Sequence, residues 1–194
     1  MRQGAGVFKP DIRRVIADEA NDLSTTMRRL LTDMAADLQH IEMRVKAVTT
    51  EIEALAAKDD VARRLMAIPG IGTLGATAHL SAMGDASRFR KARDLAAWLG
   101  LVPHQHSTGG RPNLLGISKR GNGYLRRLII SGARSCYAHL DRKHDRLGDW
   151  MNALGALMHP NKAIVAVAAK IARIAWVIIT KPGALYDRRD PNFA

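Results

Sequence analysis

The sequence predicts a mainly α-helical protein, in which a long coiled-coil helix leads into a compact helical domain containing a helix-hairpin-helix. Three observations carry that prediction. Apolar residues recur in unbroken 4-3 spacing from Met27 to Leu55. Two helical patterns meet at the turn Pro69-Gly70-Ile71-Gly72. No stretch shows apolar–polar alternation long enough to be read as a strand.

Taken in order, residues 1–22 read as an irregular lead-in, because two glycines and Pro10 fall among the first ten residues. Residues 23–58 read as the coiled coil. Met27, Leu31, Met34, Leu38, Ile41, Val45, Val48, Ile52 and Leu55 form its seam, and no Gly or Pro interrupts them. A surface helix drifts toward a 3.6-residue period, whereas a 3.5-residue period marks helices wound on one another. The seam therefore expects a partner helix, either in a second copy or in a hairpin within one chain. The carboxylates here, such as Asp33, Glu42 and Glu51, alternate with Arg28, Arg44 and Lys46 and read as a solvated face.

Asp59 and Asp60 end the coil, and residues 61–185 form the helical domain. Residues 61–83 read as helix, turn, helix. The glycines permit a tight turn, and the second helix offers its N-terminus to an anion, so Gly70, Gly72 and Thr73 are candidate phosphate contacts. Such contacts recognise backbone, not base sequence. A short helix from Asp94 ends near Gly100 and Pro103, and residues 103–122 read as a loop. An apolar face follows at Leu125, Leu128, Ile129, Ala133, Cys136 and Leu140, with Cys136 as a buried structural thiol. Lys162–Thr180 is apolar nearly all round and reads as core. Residues 186–194 read as a loose tail.

The 30 Lys and Arg against 18 Asp and Glu give a net charge of +12, which implies a polyanionic partner, of which nucleic acid is the commonest. One cysteine excludes an internal disulfide and a thiolate zinc cluster. The first residues carry no signal-peptide-like apolar run, and Lys170 and Arg173 interrupt the most apolar segment. A cytoplasmic protein with no membrane partner is the expectation. Aromatic residues make up 5% of the chain, which argues against a reader that stacks successive bases.

The loop of residues 103–122 carries the candidate chemistry. Ser107 and Thr108 precede Gly109 and Gly110 on backbone that a bulky substrate can approach. Arg111, Lys119 and Arg120 flank them, with Arg126 and Arg127 one helical turn beyond, and Asn122 is grouped with these as a DNA contact. Cations of this kind would stabilise charge on a phosphodiester under attack. His104 and His106 could move the proton. On the residues alone, a plain loop whose basic neighbours hold phosphate is the commoner reading.

Taken together, these motifs resemble one family. Ile68-Pro69-Gly70-Ile71-Gly72, Gly84-Asp85-Ala86-Ser87-Arg88-Phe89 and Leu95 to Pro103 are followed by His106 to Gly110, Gly116 to Asn122 and Tyr124 to Leu128. In this order they resemble the IS110 family of insertion-sequence transposases, the RNA-guided recombinases that join an acidic quartet to a serine. The resemblance runs from about Ile12 to about Leu185. It implies a serine nucleophile, which falls on Ser107 with Thr108 as the alternative register, in a composite site assembled on DNA. It also implies a structured guide RNA and a divalent metal (Mg) held by an N-terminal acidic domain. No acidic α/β pattern precedes Met27; Asp11, Asp18, Glu19 and Asp22 lie in the short lead-in. The expectation is therefore of a truncated or separately encoded half, able to bind DNA and to self-associate through the coil but inactive alone, with no metal site of its own. The competing expectations are a non-catalytic helix-hairpin-helix binding module and an RNA-binding protein.

Overall fold

A computed structural model of the chain describes residues 5–106, 113–140 and 145–187. It is mainly α-helical and divides into two units, Met1–Glu51 and Ile52–Ala194.

The first unit holds α1 (Ala5–Ala17) and the larger part of α2 (Thr25–Lys58). At 1.5 Å per residue the 34-residue α2 is about 50 Å long. Ser24 caps it, its hydroxyl accepting from the Met27 N–H at 3.2 Å. The lead-in expected to be irregular contains α1, a correction with a tertiary cause. Ile12 and Ile16 border shallow apolar grooves along α2 that Ala35 also lines. The Arg28 guanidinium closes the connection by donating to the carbonyls of Ile16 (2.6 Å), Asp18 (3.0 Å) and Asn21 (2.7 Å). Docking and these charge-assisted bonds outweigh the local disfavour of Gly and Pro. The helix α1 still leaves most of the seam bare: Met34, Ile41, Val45, Val48 and Leu55 are 53–66% exposed.

The second unit is built on α8 (Pro160–Thr180), whose Ile164, Val167, Ala168, Ile171, Ala172, Ala175 and Ile178 are buried. By length and composition α8 could cross a bilayer, yet its buried stripe forms the centre of this core. Around it pack α3 (Asp60–Met66), α5 (Ala92–Trp98), α6 (Gly123–His139) and α7 (Arg146–Leu157), which contribute Leu65, Leu95, Ile129 and Met151. The remaining helix, α4 (Thr73–Met83), follows the Pro69–Gly72 turn at the bounds the sequence predicted. Asp59 caps α3 through the Ala62 N–H at 2.9 Å, which explains why α2 stops at Lys58.

Two tethers close the unit. The half-buried Arg64 side chain donates from Nη1 to the carbonyls of Ile178 (3.0 Å), Ala184 (3.1 Å) and Lys181 (3.4 Å), and from Nε to Asp60 (2.9 Å). It thus places a cation on carbonyls at and just beyond the C-terminus of α8. The Tyr186 hydroxyl donates to the carboxylate of Asp145, the buried N-cap of α7. The tail expected to be loose from residue 186 is therefore anchored at Tyr186, while residues 188–194 lie outside the described residues. Cys136 is buried, as its apolar surroundings in sequence predicted.

Candidate functional site

The segment read as an unbroken loop contains a small antiparallel hairpin, β1 (Pro103–Gln105) and β2 (Leu114–Ile117). Strands of three and four residues are too short to leave a two-residue period in the sequence. Beyond β1, the His106 N–H donates to the Asn113 carbonyl at 2.9 Å, and this bond brackets residues 107–112. Ser107, Thr108 and Arg111, three of the predicted site residues, lie in that bracket and outside the described residues. The rings of His104 and His106 stand 5.0 Å apart at its mouth, His106 exposed and His104 half-buried.

After β2 the chain crosses the end of α5 so closely that backbone touches backbone. A Cβ on Gly121 would overlap the Trp98 carbonyl, and one on Gly100 would overlap the Arg120 carbonyl. Both glycines have positive φ (+86° and +71°), a region costly for other residues. Lys119 adopts φ 56° in the same turn. Arg126 reinforces the crossing by donating from Nη1 to the carbonyls of Leu99 and Arg120, both at 3.2 Å. The Asn122 side chain caps α6 by accepting from the Tyr124 (3.0 Å) and Leu125 (3.1 Å) N–H groups. Of the basic residues predicted around the serine loop, Lys119, Arg120 and Arg127 are exposed, whereas Arg126 is half-buried and tied to the frame. Both sets sit on one scaffold: hairpin, crossing and α6 N-terminus.

The Pro69–Gly72 turn divides its glycines between two tasks. Gly70, at φ +90°, lies against Gly132 of α6; a Cβ there would stand 2.7 Å from the Gly132 carbonyl oxygen, and one on Gly132 would overlap the Gly70 carbonyl. Gly72 has ordinary extended backbone (φ −95°, ψ −176°), and a Cβ there would meet nothing within 4 Å. It precedes Thr73 at an N-terminus of α4 that no side chain caps. Further along α4, His79 is buried with Nδ1 2.6 Å from the Gly75 carbonyl, and its Nε2 has no hydrogen-bond partner. Burial lowers its pKa below the ordinary 6.5, against a smaller opposing push from that carbonyl.

The model of the Transposase IS116/IS110/IS902 family matches residues 62–147, a span that takes in the Pro69–Gly72 turn, the crossing, the hairpin and α6. Residues 62–147 are a transposase domain of the IS116/IS110/IS902 family. Among its relatives, the transposase for insertion sequence element IS1111A of Coxiella burnetii is 38% identical over 93% of this chain and 50% of its own length. A probable family 20 transposase of Pseudomonas aeruginosa is 39% identical over 93% of this chain and 53% of its own. The transposase for insertion sequence element IS1328 of Yersinia enterocolitica is 38% identical over 97% and 55%. The chain spans about half the length of these relatives.

Within this transposase domain, no group of three or more His, Cys, Asp or Glu side chains that could hold a metal ion occurs among the described residues. What sequence reading missed is the scaffold role of Gly100, Gly121 and Arg126. Glycines at both ends of a charged loop were the available signal.

Proposed function

We propose that this chain binds DNA as part of an insertion-sequence recombination complex and that Ser107 is its nucleophile. The observation that carries the reading is the match over residues 62–147, which contains Ser107 with its flanking cations. The His106–Asn113 bond supports it, because it ties together the two chain positions on either side of residues 107–112. In the proposed step the Ser107 Oγ attacks phosphorus, its proton passes to His104 or His106, and the departing sugar oxygen takes up a proton. Lys119, Arg120, Arg127 and Arg111 stabilise the charge on the non-bridging oxygens. The bare N–H groups at the start of α4, beside Gly72 and Thr73, hold the backbone of duplex DNA as a helix-hairpin-helix does. The exposed α2 seam pairs with a second copy. A structured guide RNA, a metal-bearing acidic partner and a cytoplasmic setting complete the reading.

The test is strand exchange by a complex supplemented with a full-length relative. Ser107→Ala in this chain is expected to abolish the exchange that depends on it while DNA binding persists. Undiminished exchange with Ser107→Ala, and again with Thr108→Ala, would leave the domain as a non-catalytic binding module.

A further inference from the structure

The hairpin has a second face that the serine chemistry does not use. An open groove of about 700 Å³ runs between Leu115 and Ile117 of β2 and the first half of α8, with Trp150 of α7 along its side. That volume falls within the usual range of small-ligand clefts. Its walls are apolar, yet both charged side chains that line it, Lys162 and Arg173, are cationic, and Asn161 adds an amide at the N-terminal end of α8. A third cation, Lys170, stands 5.7 Å from the centre of the Trp150 ring. The other two tryptophans are committed to the core: Trp98 packs edge-on against Phe89 at 5.5 Å, and Trp176 donates to the Phe89 carbonyl at 3.1 Å. Trp150 is the one that borders an open space.

We propose that this groove seats an unpaired nucleotide of a strand bound by the domain. The apolar walls and Trp150 enclose the base, Asn161 meets its polar edge, and Lys162 and Arg173 take the flanking phosphates. An apolar peptide would satisfy the walls but would leave two lysines and an arginine without anions, on a chain already at +12. A nucleotide satisfies both, because every base has an apolar face and every linkage a charge. The scarcity of aromatics excludes a platform for many bases; one seat needs one ring. The site also has a geometric use. The strand that forms its wall, β2, is the outgoing arm of the hairpin that brackets Ser107, so a base held there fixes a strand relative to that loop. The inference rests on the reading that this chain handles nucleic acid.

The experiment uses the full chain and fluorescence anisotropy with a short unstructured DNA strand, the same sequence as RNA, and the DNA duplex. Ala166→Phe fills the groove without touching a charge. Leu115→Glu, at a half-exposed strand position, places a carboxylate at its edge and serves should the first variant not fold. Each is expected to weaken single-strand binding about tenfold, the scale of one stacked base, and to leave the duplex unaffected. Lys162→Ala with Arg173→Ala is expected to reduce the slope of log affinity against log salt by about one per cation removed. The DNA and RNA arms show which strand the seat prefers. Unchanged single-strand affinity in both groove variants would overturn the proposal, as would loss of self-association with strand binding intact, which would make the groove a protein interface. Failure of the unaltered chain to bind any of the three probes would instead remove the nucleic-acid reading on which the proposal stands.

Discussion

The two units of this chain handle apolar surface in opposite ways. In the second unit α8 buries a continuous stripe, and Leu65, Leu95, Leu99 and Ile171 are fully enclosed. In the first, α1 covers one side of α2 and leaves Met34, Ile41, Val45 and Val48 more than half exposed. A core of the first kind answers to its own chain, and a damaged contact there lowers folding stability. On the proposed reading a second copy covers the bare seam, so damage there is expected to lower association instead.

Substitutions can break that comparison, and the largest effect is expected at Gly132. Gly132→Val drives a branched side chain into the Gly70 carbonyl and is expected to cost at least about 3 kcal/mol, lowering the thermal midpoint by roughly 10 °C. Calorimetry that showed a native-like midpoint would refute the close approach. Arg64→Ala comes next, because it strips a half-buried cation from three carbonyls at and just beyond the end of α8. A loss of about 2 kcal/mol by denaturant titration is expected, with little rescue by Lys, which lacks the forked guanidinium geometry.

His79 offers a finer probe of the same unit. Its folded pKa is lowered, so the unfolded chain binds the extra proton first as pH falls. The stability present above about pH 6.5 should decline as the pH drops below the unfolded value and level off below the folded one. Subtracting the midpoints of a His79→Leu variant over pH 5–8 isolates this contribution; parallel curves would contradict it. The smallest thermal effect belongs to the first unit. Val45→Asp is expected to leave the melting of the second unit unchanged within about 0.5 kcal/mol while lowering the oligomeric state in sedimentation, as is Leu38→Asp. A drop in melting without a change of mass would mean that the seam packs within one chain.

The helices α2 to α6 and α8 were legible because each announces itself locally. Met27 to Leu55 keeps its spacing for the length of α2, Asp59 sits where a cap is needed, and Thr73–Met83 lies between a Pro-Gly turn and Gly84. The family, too, could be read from ordered short motifs. What stayed hidden depends on residues distant in sequence. The helix α1 forms against α2 despite its own Gly and Pro, the hairpin is too short to show a period, and Arg126 looks like a surface cation until the Leu99 carbonyl is beside it. Trp150, Asn161 and Arg173 share a groove only because α7 and α8 fold back on the hairpin.

The divided turn at Pro69–Gly72 carries a consequence for descent. Gly70 and Gly132 each occupy the space the other would need, so neither can gain a side chain alone, and the pair is expected to stay small together in relatives whether or not they bind DNA. Gly72 is under no such obligation, since its backbone is ordinary and the space beside it is open. If Gly72 serves DNA as proposed, then in a lineage that has stopped handling nucleic acid it is the glycine of this turn that is free to drift, and its loss would record the change while the fold stayed the same.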